Sequence, residues 1–488
     1  MGQPVQLIAP DGTATAEDRY RRDLPPELLT WLYETMVVTR DLDGEWVNLQ
    51  RQGELALYAA CRGQEAAQVG ATACLRKTDW LFPQYREIGA FLIRGITPAQ
   101  MGAVWRGSWH GGLGWPLATL HLVTLGTLLA SAIGASLQLL PVATRQPVRW
   151  PRLPALLWWL YVPGVALLVC GMGTARLDWL AAGAAMVITA LLPFAVLLGL
   201  NLHAARGMAG VVLHGWGAQA ALALLLISAA ALVALWTGHP LLDRDSARGL
   251  HLVAGVFGFM GLLAFGLSYV LLPMFTLGRV PDERRQVIAG SVALLAVALA
   301  AAAPLQHAFA LPLRAAALLA GVAALALHLR LVRAILASAM RRDLGTAGRL
   351  MAGGWAGLAL ALVAAAVALA VAPESPAGRL FALAAVLGWL LSFLMGVLQR
   401  ILPFLASMHA AQGRRRPPTP SALTLTRALS WHAVAHALAL ALLAAGLAAS
   451  SPVLLRIAGA VGSLGAICFA AFFAVLLNRL RPSRAGEG

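Results

Sequence analysis

From residue 114 onward the chain alternates long apolar stretches with short loops rich in Arg, Pro and Gly. The stretches fall at roughly 116–141, 154–173, 178–200, 209–236, 250–275, 287–306, 311–337, 350–372, 380–405, 428–449 and 453–477, each near or above the ~20 residues that cross a hydrocarbon core. Lipid offers backbone N–H and C=O groups no partner, so each stretch predicts a helix. Residues 1–113 are patterned differently. Leu28, Leu29, Leu32, Met36 and Val37 recur at helical spacing after a Pro-Pro start, and further helical patterns follow at 44–52, 64–75 and 98–106. The predicted fold class is all-α: a polytopic membrane bundle of about eleven spans over residues 114–488, preceded by a small helical segment over residues 1–113.

Composition supports this division. The chain of 488 residues is 59% hydrophobic and 12% charged, against about 45–50% and ~25% in a soluble domain. Residues 1–113 carry eleven basic and thirteen acidic groups, whereas the remainder carries twenty-six basic groups, all Arg, and eight acidic ones. The arginines sit in loops between apolar runs and not on one solvated face, which argues against a nucleic-acid partner and for a lipid bilayer. Loops after the odd-numbered spans hold nineteen arginines and the other loops hold six. Nineteen against six places the C-terminus in the cytoplasm. The first 24 residues have no apolar run of signal-peptide type. Cys61, Cys74, Cys170 and Cys468 show no metal or disulfide spacing.

Internal repetition appears when the Leu-Pro dipeptides are aligned. Pro141, Pro273 and Pro403 each have a Gly seven residues earlier (Gly134, Gly266, Gly396) and another fifteen earlier (Gly126, Gly258, Gly388). They fall on the first, fifth and ninth spans, so the bundle is expected to consist of three four-helix repeats lacking one helix. Glycines eight apart lie on one helix face, which points to close helix packing as their task. An odd number of spans puts residues 1–113 opposite the cytoplasmic C-terminus, and a lost first helix resolves that conflict.

Longer stretches carry two resemblances. RQGELALY, RGQEAAQVG and LFPQYREIG occur in order within residues 15–112, and this segment resembles the N-terminal part of the alpha subunit of the E1 component of 2-oxoacid dehydrogenases, particularly the branched-chain type. The resemblance implies thiamine diphosphate as cofactor, an E1 beta subunit as partner, and Gln84, Tyr85 and Arg86 as contacts to the cofactor's diphosphate. The alternative for Arg86 is a solvated surface charge. The family's GDG motif with its later asparagine pair, which holds magnesium, has no counterpart in this sequence, so the expectation is that this chain binds no thiamine diphosphate productively. The second resemblance rests on HLVTLGTLLASAIGASLQLLPV and HLVAGVFGFMGLLAFGLSYVLLPMF, which look like bacterial membrane proteins distantly similar to haem-copper oxidase subunit I. It implies haem or metal held by histidines on the first, fifth and ninth spans. His121 and His251 open two of these, and the third has Phe381 instead.

Four histidines are therefore candidates for haem or metal: His121 and His251 on equivalent spans, and His432 and His436, which are i, i+4 on one helix. The alternative in each case is an imidazole that only hydrogen-bonds at a helix start or between helices. Tyr269 and Gln399, each four residues before a repeat proline, read as interhelical contacts. The preferred function is a membrane protein of haem-copper-oxidase-like architecture with a non-catalytic E1-like N-terminus. The alternatives are a thiamine-diphosphate-dependent E1 alpha subunit, an oxidoreductase on 2-oxoacids, and a membrane transporter, the last opposed by the near absence of acidic residues in the spans. The junction near residues 110–118 suggests a fused reading frame.

Overall fold

A computed structural model describes residues 9, 11, 13, 24–52, 55, 58–105, 113–371, 375–411 and 418–480. Among the described residues it contains helices and no strand. The chain divides into two compact units, Met1–Leu113 and Gly114–Gly488.

The first unit has four helices: α1 (Pro26–Arg51), α2 (Glu65–Ala73), α3 (Ile88–Ile93) and α4 (Pro98–Trp105). The two helical patterns at 25–37 and 44–52 are one helix, because Arg40, Asp41 and Asp43 between them interrupt the apolar pattern without a Gly-Pro break. Asp43 is itself buried on the inner face of α1, with Thr39 and Trp46. Its Oδ1 accepts hydrogen bonds from Tyr58 Oη at 2.6 Å and Cys61 N at 2.7 Å. A carboxylate placed on two buried donors fixes the turn that leads into α2. Around it pack Trp46, Tyr58 and Trp105, edge to face at 5.6 and 5.1 Å, with Ile88 and Met101 completing the small core. Burial pushes the Cys61 thiol up to about 12, with Asp43 adding to the shift, so this cysteine is an inert packing group.

The second unit has eleven helices long and apolar enough to cross a membrane. They are α5 (Trp115–Thr144), α6 (Leu153–Gly173), α7 (Leu177–His203), α8 (Ala209–Trp236), α9 (Arg244–Thr276), α10 (Glu283–Ala302), α11 (Ala310–Ala337), α12 (Gly345–Ala370), α13 (Ala377–Ala411), α14 (Thr426–Ala448) and α15 (Pro452–Leu480). The repeat is visible in backbone geometry. Helices α5, α9 and α13 each widen to π-helical turns, at Leu122–Leu129, Val253–Gly261 and Ala384–Leu391. The widened turns begin 19, 20 and 19 residues before Pro141, Pro273 and Pro403 and enclose Gly126, Gly258 and Gly388.

The ends of these helices are also alike in the first two repeats. Thr144 and Thr276 each return their hydroxyl to the carbonyl four residues back at 2.7 Å. The next residues, Arg145 and Leu277, adopt left-handed φ of 55° and 53° and stop the helix. The freed carbonyls of Thr144 and Thr276 then accept the N–H of Arg206 and Arg341, at 3.1 and 2.9 Å, from the loops after α7 and α11. In the third repeat Ala406 stands at this position and α13 continues to Ala411.

The repeat glycines show where each repeat is filled. A Cβ on Gly258 would lie 2.5 Å from Ala221 Cβ and one on Gly266 2.7 Å from His214 Cβ, both on α8. A Cβ on Gly396 would lie 2.7 Å from the Ala347 carbonyl on α12, and Gly388 faces Gly357 of the same helix. In the first repeat, Gly134 has nothing within 4 Å and Gly126 meets only Leu122 of its own helix. Among the described residues no helix occupies the position against α5 that α8 and α12 take in the other repeats.

Adding a methyl group at these positions therefore has position-dependent effects. Gly266→Ala and Gly396→Ala are expected to destabilise the bundle by about 1–3 kcal/mol through overpacking, whereas Gly134→Ala is neutral or stabilising by up to about 1 kcal/mol. Thermal unfolding of the detergent-purified chain and its variants checks this. Equal losses at all three positions would contradict the open space at Gly134.

Candidate functional site

Gln84, Tyr85 and Arg86 lie in the turn between α2 and α3. The turn is held from beneath by Gln68, a buried residue of α2, whose Nε2 donates to the Arg86 carbonyl at 2.9 Å and whose Oε1 accepts from Gly89 N at 3.0 Å. A Cβ on Gly89 would lie 2.9 Å from Val69 Cγ2, so only glycine lets α3 approach α2 this closely. With the backbone pinned, the side chains of Gln84, Tyr85 and Arg86 are all exposed, Tyr85 at 59%. The Arg86 guanidinium lies 5.7 Å from the centre of the Tyr85 ring. These donors suit a phosphate oxygen. A hard divalent cation needs an oxygen cage, and among the described residues no three His, Cys, Asp or Glu side chains are gathered to hold a metal ion.

The same unit contains an ion pair that sequence reasoning passed over. Arg40 Nε and Nη2 donate to the two carboxylate oxygens of Glu65 at 2.9 and 3.0 Å, and Gly63 N donates to Glu65 Oε2 at 3.0 Å. The pair joins α1 to the start of α2. Chiefly through the Arg40 hydrogen bonds, the Glu65 carboxyl is held at about 2. Arg94 is likewise engaged, donating to the carbonyls of Arg76, Lys77 and Asp79 and closing the loop before the Gln84 turn. The separations of 25 residues for Arg40–Glu65 and 15–18 for Arg94 leave no local pattern by which a sequence could announce them.

The four candidate histidines of the bundle form two pairs. His121 on α5 and His251 on α9 come together with ring centres 6.2 Å apart and planes inclined by 27°. His121 Nδ1 lies 3.0 Å from the Leu117 carbonyl, so it carries the proton and Nε2 is the basic nitrogen. His251 Nδ1 is buried without a hydrogen-bond partner. The two rings are offset in the repeat, lying 20 and 22 residues before their prolines. Phe381 of the third repeat stacks on Phe257 at 5.9 Å.

The second pair lies on α14. His432 and His436 have ring centres 5.9 Å apart and planes inclined by 24°. His432 Nδ1 donates to the Gly465 carbonyl at 3.0 Å, leaving a buried Nε2 with no partner. Ser392 gives its one proton to the Leu387 carbonyl at 3.0 Å, so His436 Nε2 donates to Ser392 Oγ at 2.8 Å and Nδ1 is basic.

A further cluster was not foreseen. Tyr269 Oη and His328 Nδ1 share a hydrogen bond of 2.9 Å in the centre of the bundle, and His214 stands edge-on to Tyr269 at 5.7 Å. All three residues are fully buried, and the Nε2 atoms of His214 and His328 have no partner. Each was visible as a polar residue within an apolar span, but α8, α9 and α11 had to be packed before they met. Gln399 accepts from Thr346 Oγ1 of α12 at 2.8 Å.

Comparison with known proteins bears on the first unit. Residues 33–120 match the family model described as dehydrogenase E1 component. The N-terminal segment is thus E1-alpha-like. A stretch of 137 residues, 28% of this chain, is 66% identical to 37% of the 3-methyl-2-oxobutanoate dehydrogenase subunit alpha of Mycobacterium tuberculosis (strain ATCC 25618 / H37Rv). Ninety residues, 18% of this chain, are 39% identical to 26% of the pyruvate dehydrogenase E1 component subunit alpha of Acholeplasma laidlawii. A further 107 residues, 22% of the chain, are 36% identical to 29% of the Staphylococcus aureus (strain Mu50 / ATCC 700699) protein of the same name. The chain spans about a third of the length of these curated relatives.

The Glu65 pair predicts acid sensitivity of this unit. A carboxyl held at about 2 against an ordinary 4.5 stabilises the fold fully above about pH 4.5 and loses that contribution as pH falls toward 2. Amide protection factors (exchange corrected for the intrinsic rate at each pH) in peptides covering residues 58–75 are expected to fall through that window in the wild type, whereas in Glu65→Gln they are lower already at neutral pH and change little with pH. An unchanged wild-type profile in the variant would refute the assignment.

Proposed function

We propose that residues 114–488 form an integral membrane protein of haem-copper-oxidase-like architecture, one helix short of three four-helix repeats, which holds a haem or metal ion. Eleven helices of sufficient length and apolarity support the membrane reading. The pairing of His121 with His251 carries the haem or metal reading. Two metal–nitrogen bonds of about 2 Å plus the ring radii separate two ligating imidazole centres by roughly 6 Å, and this pair stands at 6.2 Å. The cytoplasmic side is assigned to the arginine-rich loops and the C-terminus, in a bacterial plasma membrane.

Residues 1–113 are read as an E1-alpha-like segment joined to this bundle without E1 catalysis of its own. The absence from the sequence of the family's GDG motif with its later asparagine pair supports that reading. The competing reading, an E1 alpha subunit that binds thiamine diphosphate and an E1 beta subunit, is favoured by the identity of 66%. Calorimetric titration of the full chain with thiamine diphosphate and magnesium separates the two. No binding heat supports the non-catalytic reading, and micromolar binding overturns it. A transcript crossing the junction tests whether the two units are one product.

For the bundle, haem-replete expression is expected to give a purified chain with Soret absorbance, or with stoichiometric copper or iron by mass spectrometry. The double variant His121→Ala/His251→Ala is expected to lose it. Loss in His432→Ala/His436→Ala with retention in the first double variant would move the site to α14. A wild-type protein with no Soret band and no bound metal would end the proposal.

A further inference from the structure

Helices α8 and α10 of the second repeat pack directly against each other. Gly210 lies against Gln286, Gly217 against Leu294, and a Cβ on Gly290 would lie 2.7 Å from His214 Cε1. The corresponding helices of the third repeat, α12 and α14, are held apart by a cleft of about 1020 Å³ that is floored by α13. A Cβ on Gly353 of α12, which lines this cleft, would meet nothing within 4 Å. The opening is thus a departure from the packing the repeat otherwise uses.

Its lining is graded along the helices. At the end of α12 that adjoins the arginine-rich loops stand Thr346 and Arg349, with Ser430 from α14; at the other end stand Val371 and Pro376. Arg349 is exposed and no Asp or Glu lines the cleft among the described residues. The Thr346 hydroxyl donates to Gln399 Oε1 behind the cleft wall, which leaves Arg349 and Ser430 as the polar groups of the mouth. The mouth therefore offers the Arg349 cation and the Ser430 hydroxyl with no carboxylate beside them among the described residues, which is the complement of an anionic head group. Between the ends the wall is apolar except for His436 and Ser392, whose mutual hydrogen bond and the Leu387 carbonyl occupy the serine proton and imidazole Nε2.

The length selects among anionic lipids. Thr346 to Val371 spans about 37 Å at about 1.5 Å per residue, whereas one leaflet with its head group is about 20–22 Å deep. A glycerophospholipid would fill only the half nearest Arg349. We propose that the cleft between α12 and α14 binds a polyprenyl phosphate, its phosphate at Arg349 and its single long chain passing the bilayer midplane toward Pro376. This rests on the reading that the bundle lies in a bilayer and is independent of any haem or metal.

The test uses the full chain in phosphatidylcholine nanodiscs titrated with a long-chain polyprenyl phosphate, read by native mass spectrometry and thermal shift. The wild type is expected to bind one equivalent and to gain thermal stability. Arg349→Gln is expected to weaken binding about tenfold. Gly353→Phe is expected to abolish it while folding normally, because its side chain enters open space. Wild-type affinity in both variants, or displacement of the probe by a glycerophospholipid or a neutral isoprenoid quinone at equal concentration, overturns the proposal. Recovery of the chain from the soluble fraction would instead refute the membrane reading.

Discussion

Backbones in the bundle approach one another where the sequence places no side chain between them. At Gly357 a Cβ would enter the backbone of Gly388, and at Gly183 it would lie 2.7 Å from Leu168 Cα and 2.8 Å from the Gly164 carbonyl. In a hydrocarbon environment burial of apolar surface contributes little to helix association, so close packing and interhelical hydrogen bonds must supply it. Every other feature of the bundle depends on those approaches. The His121–His251 pair, the buried Tyr269–His328 hydrogen bond and the cleft beside α12 each mark a place where two helices are brought within, or held outside, that contact distance.

The widened turns of α5, α9 and α13 belong to the same logic. A π-helical turn inserts an extra residue per turn and shifts the register of the helix beyond it, and in all three repeats it encloses the first glycine of the pattern. At Gly258, a Cβ would lie 3.4 Å from the Val253 carbonyl five residues back. Repetition of such a costly local distortion at matched positions argues for a common ancestor of the three units more strongly than the glycine spacing alone. The first repeat keeps the distortion and the two glycines, with no other helix against those glycines among the described residues.

Span number and approximate limits were legible in the sequence, because a membrane helix announces itself by length and apolarity within one contiguous stretch. The N-terminal unit was less so. Its helices are short, and the contacts that organise it run from Asp43 to Cys61, Arg40 to Glu65 and Gln68 to Gly89, between residues with no periodic relation. The candidate residues divide in the same way. His432 and His436 could be paired from their spacing, and His121 with His251 from the repeat. His214, Tyr269 and His328 could not be paired, because their meeting depends on how three helices pack. The cleft was illegible for a related reason: it depends on how closely α12 and α14 pack along their lengths.

The donor count at the histidine pairs narrows the chemistry they can support. Each pair offers two imidazoles, and no third His, Cys, Asp or Glu joins either among the described residues. A structural zinc ion takes four ligands, so two imidazoles in an apolar wall would leave it half coordinated with little water to complete the shell. A porphyrin brings four nitrogens of its own and asks the protein only for axial ligands. A bis-imidazole site of that kind is what the proposed haem reading asks of His121 and His251, which come from different helices with ring centres 6.2 Å apart.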